Sequence, residues 1–187
     1  MARLLAVGAL TYDLVKLPST PARKTFAGSS AYIGVCSARL GVPPVIACKV
    51  GVDVKKEDLE RLKHEGVSLA GVKVVKGKTT SFMLTYEESG RRKLRVLCSS
   101  PPLKSEDLTE DLLEVDMAVV SPVLNEIPLE TLKKVAENVE LICLDPQGYI
   151  RKPLSNGEIR FSPWKEAEKF VSLVDVLSTS TPELPYL

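Results

Sequence analysis

Asp13 is the first residue of this chain whose type and position could do chemistry. It follows the apolar run Leu4–Gly8, which predicts a buried strand, and open α/β sheets bind ligands at the carboxyl ends of their strands. A carboxylate there can accept hydrogen bonds from two hydroxyl groups of a polyol. The spacing also fits an aspartate that only shapes the turn after the strand, so both interpretations stay open.

Two further turns carry residues of the same kind. Gly28 precedes a predicted helix, where a glycine lets the backbone approach a ligand and free N–H groups face it. Gly51 and Asp53 lie in the turn V-G-V-D, which follows a second apolar run. Loop geometry without any ligand explains each of these turns equally well.

Several common kinds of active site have no support in the sequence. Among its 11 glycines there is neither a G-x-G-x-x-G nor a Walker A pattern, which argues against a typical dinucleotide fold and a P-loop enzyme. G-x-S-x-G is also absent, and the single histidine, His64, lies in a charged helical stretch. The four cysteines form no C-x-x-C pair and lie far from His64, which favours small buried thiols over a metal site.

The composition is that of an ordinary globular protein and limits its partners. The chain is 44% hydrophobic and 26% charged, with a net charge of +1, so it has no broad attraction to nucleic acid or to an anionic membrane. No apolar run is long enough to span a bilayer, and the N-terminal run is too short for a signal peptide. We therefore expect a cytoplasmic protein that binds a small molecule, with no nucleic-acid or membrane partner.

Apolar runs and helical patterns alternate along the chain and predict an α/β fold. Short continuous apolar runs separated by helical stretches are typical of parallel βαβ units with helices on both faces of the sheet. The predicted core strands are Leu4–Gly8, Val45–Val50, Met117–Ser121, Leu141–Asp145 and Val174–Ser178. The predicted helices run from a capping Ser29 or Ser30 toward Leu40, and over Lys55–His64, Pro128–Asn138 and Pro163–Val171.

A second group of segments predicts a small antiparallel lid. Thr79–Tyr86 and Lys93–Cys98 alternate roughly between apolar and polar residues and are joined by E-E-S-G-R-R, which is typical of a hairpin. Val72–Val75 predicts a short strand just before it. No linker or repeat divides the chain, so we expect one α/β domain over residues 1–187, with lid elements at about 12–24 and 72–98.

Several motifs, in a fixed order, together resemble one family. Ala27-Gly28, Gly41 and Gly51 have the spacing of the first signature of the ribokinase/PfkB carbohydrate kinases. The other segments that resemble the family, in chain order, are V-G-A-L-T-Y-D at 7–13, T-T-S-F-M-L-T-Y at 79–86, S-P-V-L-N-E-I at 121–127 and L-D-P-Q-G-Y-I-R at 144–151. The resemblance implies a ribokinase-like three-layer core with a mostly parallel sheet and a small β lid.

The resemblance also implies a role for each matched residue on the substrate side. Asp13 would bind sugar hydroxyls, and Ala27 and Gly28 would line the sugar pocket. Gly51 and Asp53 would support the base of the site, and the hairpin at 79–98 would cover it.

On the donor side, the resemblance implies ATP and Mg²⁺ as cofactors. Glu183, in S-T-P-E, matches the glutamate of a family N-x-x-E motif that organises water around Mg²⁺, although Ser180 replaces the asparagine. Arg91 and Arg92 are interpreted as keeping the hairpin tip soluble, with phosphate binding as the alternative. Tyr32 stands where many members have an asparagine that contacts the sugar; packing in the core is favoured over stacking on a substrate ring.

One family motif has no counterpart in these 187 residues. A late D-T-x-G-A-G-D motif supplies amides that stabilise the transferring phosphoryl group and an aspartate that acts as the base. We therefore expect a PfkB-type sugar or nucleoside kinase that transfers the γ-phosphate of ATP to a substrate hydroxyl, C-terminally truncated and inactive as this chain. The alternative is a non-catalytic sugar- or nucleoside-binding module, or a half-enzyme. An uncovered sheet face would then favour a homo-oligomer or a complementing C-terminal chain.

Overall fold

A six-stranded parallel sheet is the centre of the fold in the computed structural model, which describes residues 3–187. Its strands are β1 (Leu4–Gly8), β4 (Pro44–Gly51), β5 (Ser68–Val75), β8 (Met117–Ser121), β9 (Leu141–Leu144) and β12 (Val176–Leu177). They lie in the order β12-β9-β8-β1-β4-β5, and each neighbouring pair is parallel. The inner strands β1, β4 and β8 are largely apolar and buried, as expected for parallel strands covered on both faces.

The side chains of these strands alternate between two apolar cores, one on each face of the sheet. Leu5 and Val7 of β1 belong to one core, and Leu4 and Ala6 belong to the other. The first core is covered by α3 (Glu110–Leu113), α4 (Leu129–Ala136) and α6 (Ala167–Val171), and the second by α1 (Ser29–Arg39) and α2 (Lys56–His64). The predicted three-layer α/β fold with a mostly parallel sheet is therefore confirmed.

A separate four-stranded sheet lies over the carboxyl ends of the central strands. It consists of β2 (Thr11–Lys16), β3 (Arg23–Ala27), β6 (Ser81–Tyr86) and β7 (Arg92–Cys98), in the order β3-β2-β6-β7. Phe82 of this sheet packs with Ala9 and Val123, which follow β1 and β8. This contact holds the small sheet above the loops that leave the large one.

The small sheet differs in two ways from the predicted antiparallel lid. Strands β2 and β6 pair in parallel, whereas β2–β3 and β6–β7 are antiparallel. Residues 72–75, predicted within the lid, belong instead to β5 and pair with β4 at the edge of the large sheet. Their apolar pattern fits either sheet, so the sequence alone did not distinguish the two.

The segment between β9 and β12 contains elements that the sequence did not predict. A short helix α5 (Gln147–Ile150) leads directly into β10 (Arg151–Pro153), which forms a hairpin with β11 (Ile159–Phe161). The helix predicted at 163–171 is limited to α6. Two 3-10 turns, Ser105–Asp107 and Leu184–Tyr186, complete the elements found in residues 3–187.

Two smaller predictions were wrong. The N-cap of α1 is Gly28, without a side-chain capping bond, rather than Ser29 or Ser30. The cysteines are not uniformly buried, because Cys48 is buried but Cys36 is exposed.

Within residues 3–187, no helix has both the length and the apolar character needed to cross a membrane.

Candidate functional site

A cavity of about 410 Å³ lies between the small sheet and the carboxyl ends of β1 and β8. Its polar lining includes Thr11, Asp13, Gln147 and Arg151. Its apolar lining includes Phe82 and Leu84 of β6 and Leu94 of β7, while Thr11 and Asp13 lie on β2 of the same small sheet. The cavity can therefore hold a ligand that is polar on one side and apolar on the other.

Asp13 projects into this cavity from β2. Successive side chains of a strand point to opposite faces, and the neighbouring Tyr12 points away toward α2. The Tyr12 hydroxyl donates to Asp58 Oδ2 at 2.5 Å and accepts from the Lys55 N–H at 2.9 Å. Burial and the Asp58 hydrogen bond raise the pKa of Tyr12 to about 12, so Tyr12 stays a neutral donor that fixes the strand on which Asp13 lies.

The Asp13 carboxylate is only partly satisfied by the protein. Its Oδ1 atom is buried and has no hydrogen-bond partner, and the same holds for Thr11 Oγ1 beside it. The nearby Thr11 hydroxyl favours the ionised form of Asp13, although the two groups do not have the geometry of a hydrogen bond. Burial raises the pKa of Asp13, and the charges of Arg151 and Arg92 offset part of that rise.

Ala27 and Gly28 line the same cavity as Asp13, so the structure brings these three predicted residues together. The reason for a glycine at 28 differs from the predicted one. Gly28 has a φ of 112°, and a Cβ there would lie 2.3 Å from the Ala9 carbonyl oxygen. The close approach is thus to the protein's own backbone, which brings the start of α1 against the end of β1.

Gly51 and Asp53 do not line this cavity. The Asp53 Oδ1 atom accepts from the Thr79 N–H at 2.7 Å and from its hydroxyl at 2.8 Å, and the Gly51 N–H donates to Thr79 Oγ1. Burial alone would raise the pKa of Asp53, but the bonds from Thr79 dominate and lower it. The V-G-V-D turn therefore anchors the segment that enters β6, a strand that lines the cavity, but the turn itself does not line it.

A second cavity of about 420 Å³ adjoins the first at the ends of β9 and β12. It is lined by Asp145, Glu183, Ser178 and neighbouring residues, and it shares Arg92, Gln147 and Arg151 with the first cavity. Burial raises the pKa of Asp145, whose Oδ2 accepts from the Ser121 hydroxyl at 3.0 Å.

Glu183 lies in this second cavity rather than beside Asp13. Its Oε2 atom accepts from the Ser180 N–H and hydroxyl, at 3.1 and 2.6 Å, and from the Thr179 hydroxyl. All of these bonds end on one oxygen, so Oε1 is the atom left for an outside ligand. Over residues 3–187 there is no cluster of three or more His, Cys, Asp or Glu side chains that could hold a metal ion.

Arg151 and Tyr32 are the residues of this site that sequence reasoning missed or misjudged. Arg151 is only 9% exposed and lines both cavities; its signal was its place in L-D-P-Q-G-Y-I-R, just after a strand end. Tyr32 was expected to pack in the core, but its side chain is 69% exposed at the rim of the first cavity. It lies on the first turn of α1, and the spacing of apolar residues over a single turn does not show which side of the helix faces the core.

Known proteins resemble this chain in sequence and in fold. No protein-family model matches it. The cytidine kinase of Thermococcus kodakarensis is 23% identical over 186 residues, which cover 94% of this chain and 66% of that protein. A pyrophosphate-dependent kinase in the ribokinase family, solved as a sulfate complex, has a TM-score of 0.83 at 21% identity and covers 98% of this chain and 64% of its own.

A nucleoside kinase of Burkholderia thailandensis, solved with inosine, has a TM-score of 0.73 at 16% identity, covering 96% of this chain and 61% of its own. The chain thus has the ribokinase-like fold, and the resemblance to ribokinase/PfkB kinases is confirmed at that level. It spans less than two thirds of the length of each of these three proteins.

Proposed function

We propose that this chain is the acceptor-binding part of a PfkB-type carbohydrate kinase, which binds a sugar or nucleoside in the cavity between the two sheets. The observation that carries the proposal is the pair of buried, unpartnered oxygens, Asp13 Oδ1 and Thr11 Oγ1, on the wall of that cavity. Buried polar atoms without a partner are rare in folded proteins, because each costs about 1–3 kcal/mol. A polyol would supply the missing hydrogen bonds.

Asp13 would accept hydrogen bonds from two neighbouring hydroxyl groups, and Thr11 would donate or accept one more. Ala27, paired with Thr11 across β2 and β3, and the adjoining Gly28 would line the cavity beside these two residues. The small sheet would act as the lid, because its inner face covers the cavity with the polar side chains of β2 and the apolar side chains of β6 and β7. A nucleoside or sugar has both a polar edge and an apolar face, which matches this division.

The donor would approach through the second cavity, which shares a wall with the first. The proposed donor is ATP with Mg²⁺, and a bound Mg²⁺ would neutralise the charge that develops on the phosphates. Glu183 Oε1 fits this role as a carboxylate contact made through water, since Mg²⁺ keeps several waters and needs few protein ligands. Ser180 and Thr179 hold the carboxylate in place.

We also propose that residues 1–187 by themselves bind the acceptor without turnover. Transfer of a phosphoryl group to a hydroxyl forms a new O–P bond, breaks the donor P–O bond and releases the hydroxyl proton. The G-A-G-D motif, which the resemblance assigns to the base and the phosphate-binding amides, does not occur in these residues. A second polypeptide segment would have to supply both.

Calorimetric titration with cytidine, inosine, ribose and myo-inositol tests the proposal. We expect saturable binding of at least one of them, and a loss of at least tenfold in affinity for Asp13→Ala. Asp111→Ala is the matched control, because Asp111 is exposed on α3 and does not line the cavity. No binding of any of these compounds, or equal affinity in Asp13→Ala, would contradict the proposal. ATP- and pyrophosphate-consumption assays on the same panel should show no turnover.

A further inference from the structure

Arg151 is a buried arginine that has no ion-pair partner among the residues that the structure describes. Its side chain is buried, yet none of the ion pairs within residues 3–187 involves it, because no carboxylate oxygen lies within 4.0 Å. Within residues 3–187 its side chain makes one hydrogen bond, a long one of 3.3 Å from Nη1 to the Val123 carbonyl oxygen, and Nε has no partner. Burying an unpaired guanidinium lowers the free energy of unfolding unless an anion binds to it.

Three of the carboxylates around Arg151 are engaged elsewhere, and the fourth, Asp13, lines the same cavity but forms no ion pair with it among the described residues. Glu126 accepts from the Val123 and Leu124 N–H groups, at 2.8 and 2.7 Å. Glu183 accepts from its own loop, and Asp145 accepts from Ser121 and Gln147. These groups favour the charged guanidinium from a distance, but none of them uses its hydrogen-bond donors.

A second arginine faces the same space from the small sheet. Arg92, on β7, lines both cavities with Arg151, and each guanidinium disfavours the charge of the other. Two like charges at a shared wall, one of them buried with an unused donor, form a site that a doubly charged tetrahedral anion would complete. Guanidinium groups bind phosphate through two parallel hydrogen bonds.

We propose that Arg151 and Arg92 form a phosphate-group site at the junction of the two cavities. Arg151 is its fixed part, because it is buried at the start of β10, and Arg92 is its exposed part on the small sheet. The site goes beyond the proposed acceptor pocket and does not depend on which acceptor binds there. The phosphate can belong to the donor, entering from the second cavity, or to a phosphorylated acceptor in the first.

Titration of the 187-residue chain with pyrophosphate and inorganic phosphate, at constant ionic strength with chloride as the control salt, tests the site. We expect saturable binding by calorimetry and a rise in Tm. Arg151→Gln should weaken pyrophosphate binding at least tenfold and Arg92→Gln about three- to fivefold. Arg95→Gln is the matched control: Arg95 is on the same strand but lines neither cavity, and it donates to the Asn156 carbonyl oxygen.

Arg151→Lys and Arg92→Gln keep the proposal testable if Arg151→Gln does not fold. The lysine retains the charge but loses the paired donors, so we expect an intermediate loss of affinity. Unchanged affinity in both of these variants, an equal loss in Arg95→Gln, or no saturable binding to the wild-type chain would overturn the proposal.

The source of the phosphate is distinguished by adding Asp13→Ala. Binding of pyrophosphate that is unaffected by Asp13→Ala would assign the site to the donor. Binding of ribose 5-phosphate that requires both Asp13 and Arg151 would assign it to the acceptor. Phosphate binding without binding of any unphosphorylated polyol would leave this site standing and contradict the proposed acceptor function.

Discussion

Asp13 destabilises the folded chain in the absence of a ligand. Its carboxylate is partly buried, its Oδ1 is unpartnered, and burial raises its pKa above the ordinary value of 3.8. Ionisation is therefore less favourable in the folded state than in the unfolded state. The stability that accompanies a neutral Asp13 is complete below pH 3.8 and is lost as the pH rises through the raised pKa.

Asp13→Asn should therefore stabilise the ligand-free chain at pH 7 while weakening polyol binding. We expect a rise in Tm of about 2–4 °C, from about 1 kcal/mol of relieved desolvation. The gain in Tm should shrink as the pH falls toward 3.8, because the folded wild-type chain then carries a neutral side chain at position 13, as the variant does. Thermal unfolding followed by circular dichroism from pH 4 to 8 measures it, and a lower Tm for the variant at pH 7 would contradict the account.

Asp53→Asn is the control with the opposite sign. The bonds from Thr79 lower the pKa of Asp53, so its contribution to stability is present at neutral pH and is lost as the pH falls through that lowered value. This variant should have a lower Tm than the wild type at pH 7.

The sequence predicted site residues where a carboxylate or a glycine stands at a strand end or a helix start. Asp13 and Gly28 were predicted because strand ends and helix starts are recognisable from local patterns, and Ala27 because it stands in the glycine pair of the family signature. Arg151 was not, since its importance comes from burial without a partner, a property of the folded molecule. Tyr32 was misjudged because exposure on the first turn of a helix depends on where the small sheet lies.

At the scale of elements, the contact between the start of α1 and the end of β1 shapes the cavity. Gly28→Ala would place a Cβ 2.3 Å from the Ala9 carbonyl oxygen at a φ of 112°. We expect a loss of more than about 3 kcal/mol in the free energy of unfolding, because both backbone strain and displacement of β1 contribute. Urea unfolding measures this loss.

Gly41→Ala is the matched control for Gly28→Ala. Gly41 also has a positive φ, 79°, but nothing lies within 4 Å of its Cβ position. Only the conformational cost remains, about 1 kcal/mol. Equal losses in the two variants would show that the close approach at Gly28 is unimportant.

The elements that the sequence predicted well are the inner, apolar strands of the large sheet. Met117–Ser121 was predicted with its observed bounds, and Val45–Val50 within a residue at each end. The hairpin of β10 and β11 was missed because each strand has only three residues. The placement of residues 72–75 was wrong because strand pairing is decided by tertiary contacts that a single strand's pattern does not contain.

At the scale of the whole molecule, the large sheet has an edge with exposed apolar residues. Val176 and Leu177 of β12 are 48% and 39% exposed, and Leu141 of β9 is 44% exposed. Unpaired strand edges and apolar patches of this kind associate with other chains. We therefore propose that the 187-residue chain self-associates at this edge.

Val176→Lys should reduce self-association and ANS binding without lowering Tm, because Val176 is exposed. Analytical ultracentrifugation of the two proteins measures the effect. Val74→Lys is the control at the opposite edge of the sheet, where Val74 of β5 is 57% exposed. A wild-type chain that is monomeric and does not bind ANS would contradict the proposal.

We propose above that the cavity between the two sheets receives a polyol through Asp13. A crystal structure of the chain with the tightest-binding sugar or nucleoside tests it most directly. We expect two ligand hydroxyl oxygens within hydrogen-bond distance of the Asp13 carboxylate, with the ligand also against Ala27 and Gly28. A ligand bound elsewhere, or a cavity filled by repacked side chains of the small sheet, would contradict it.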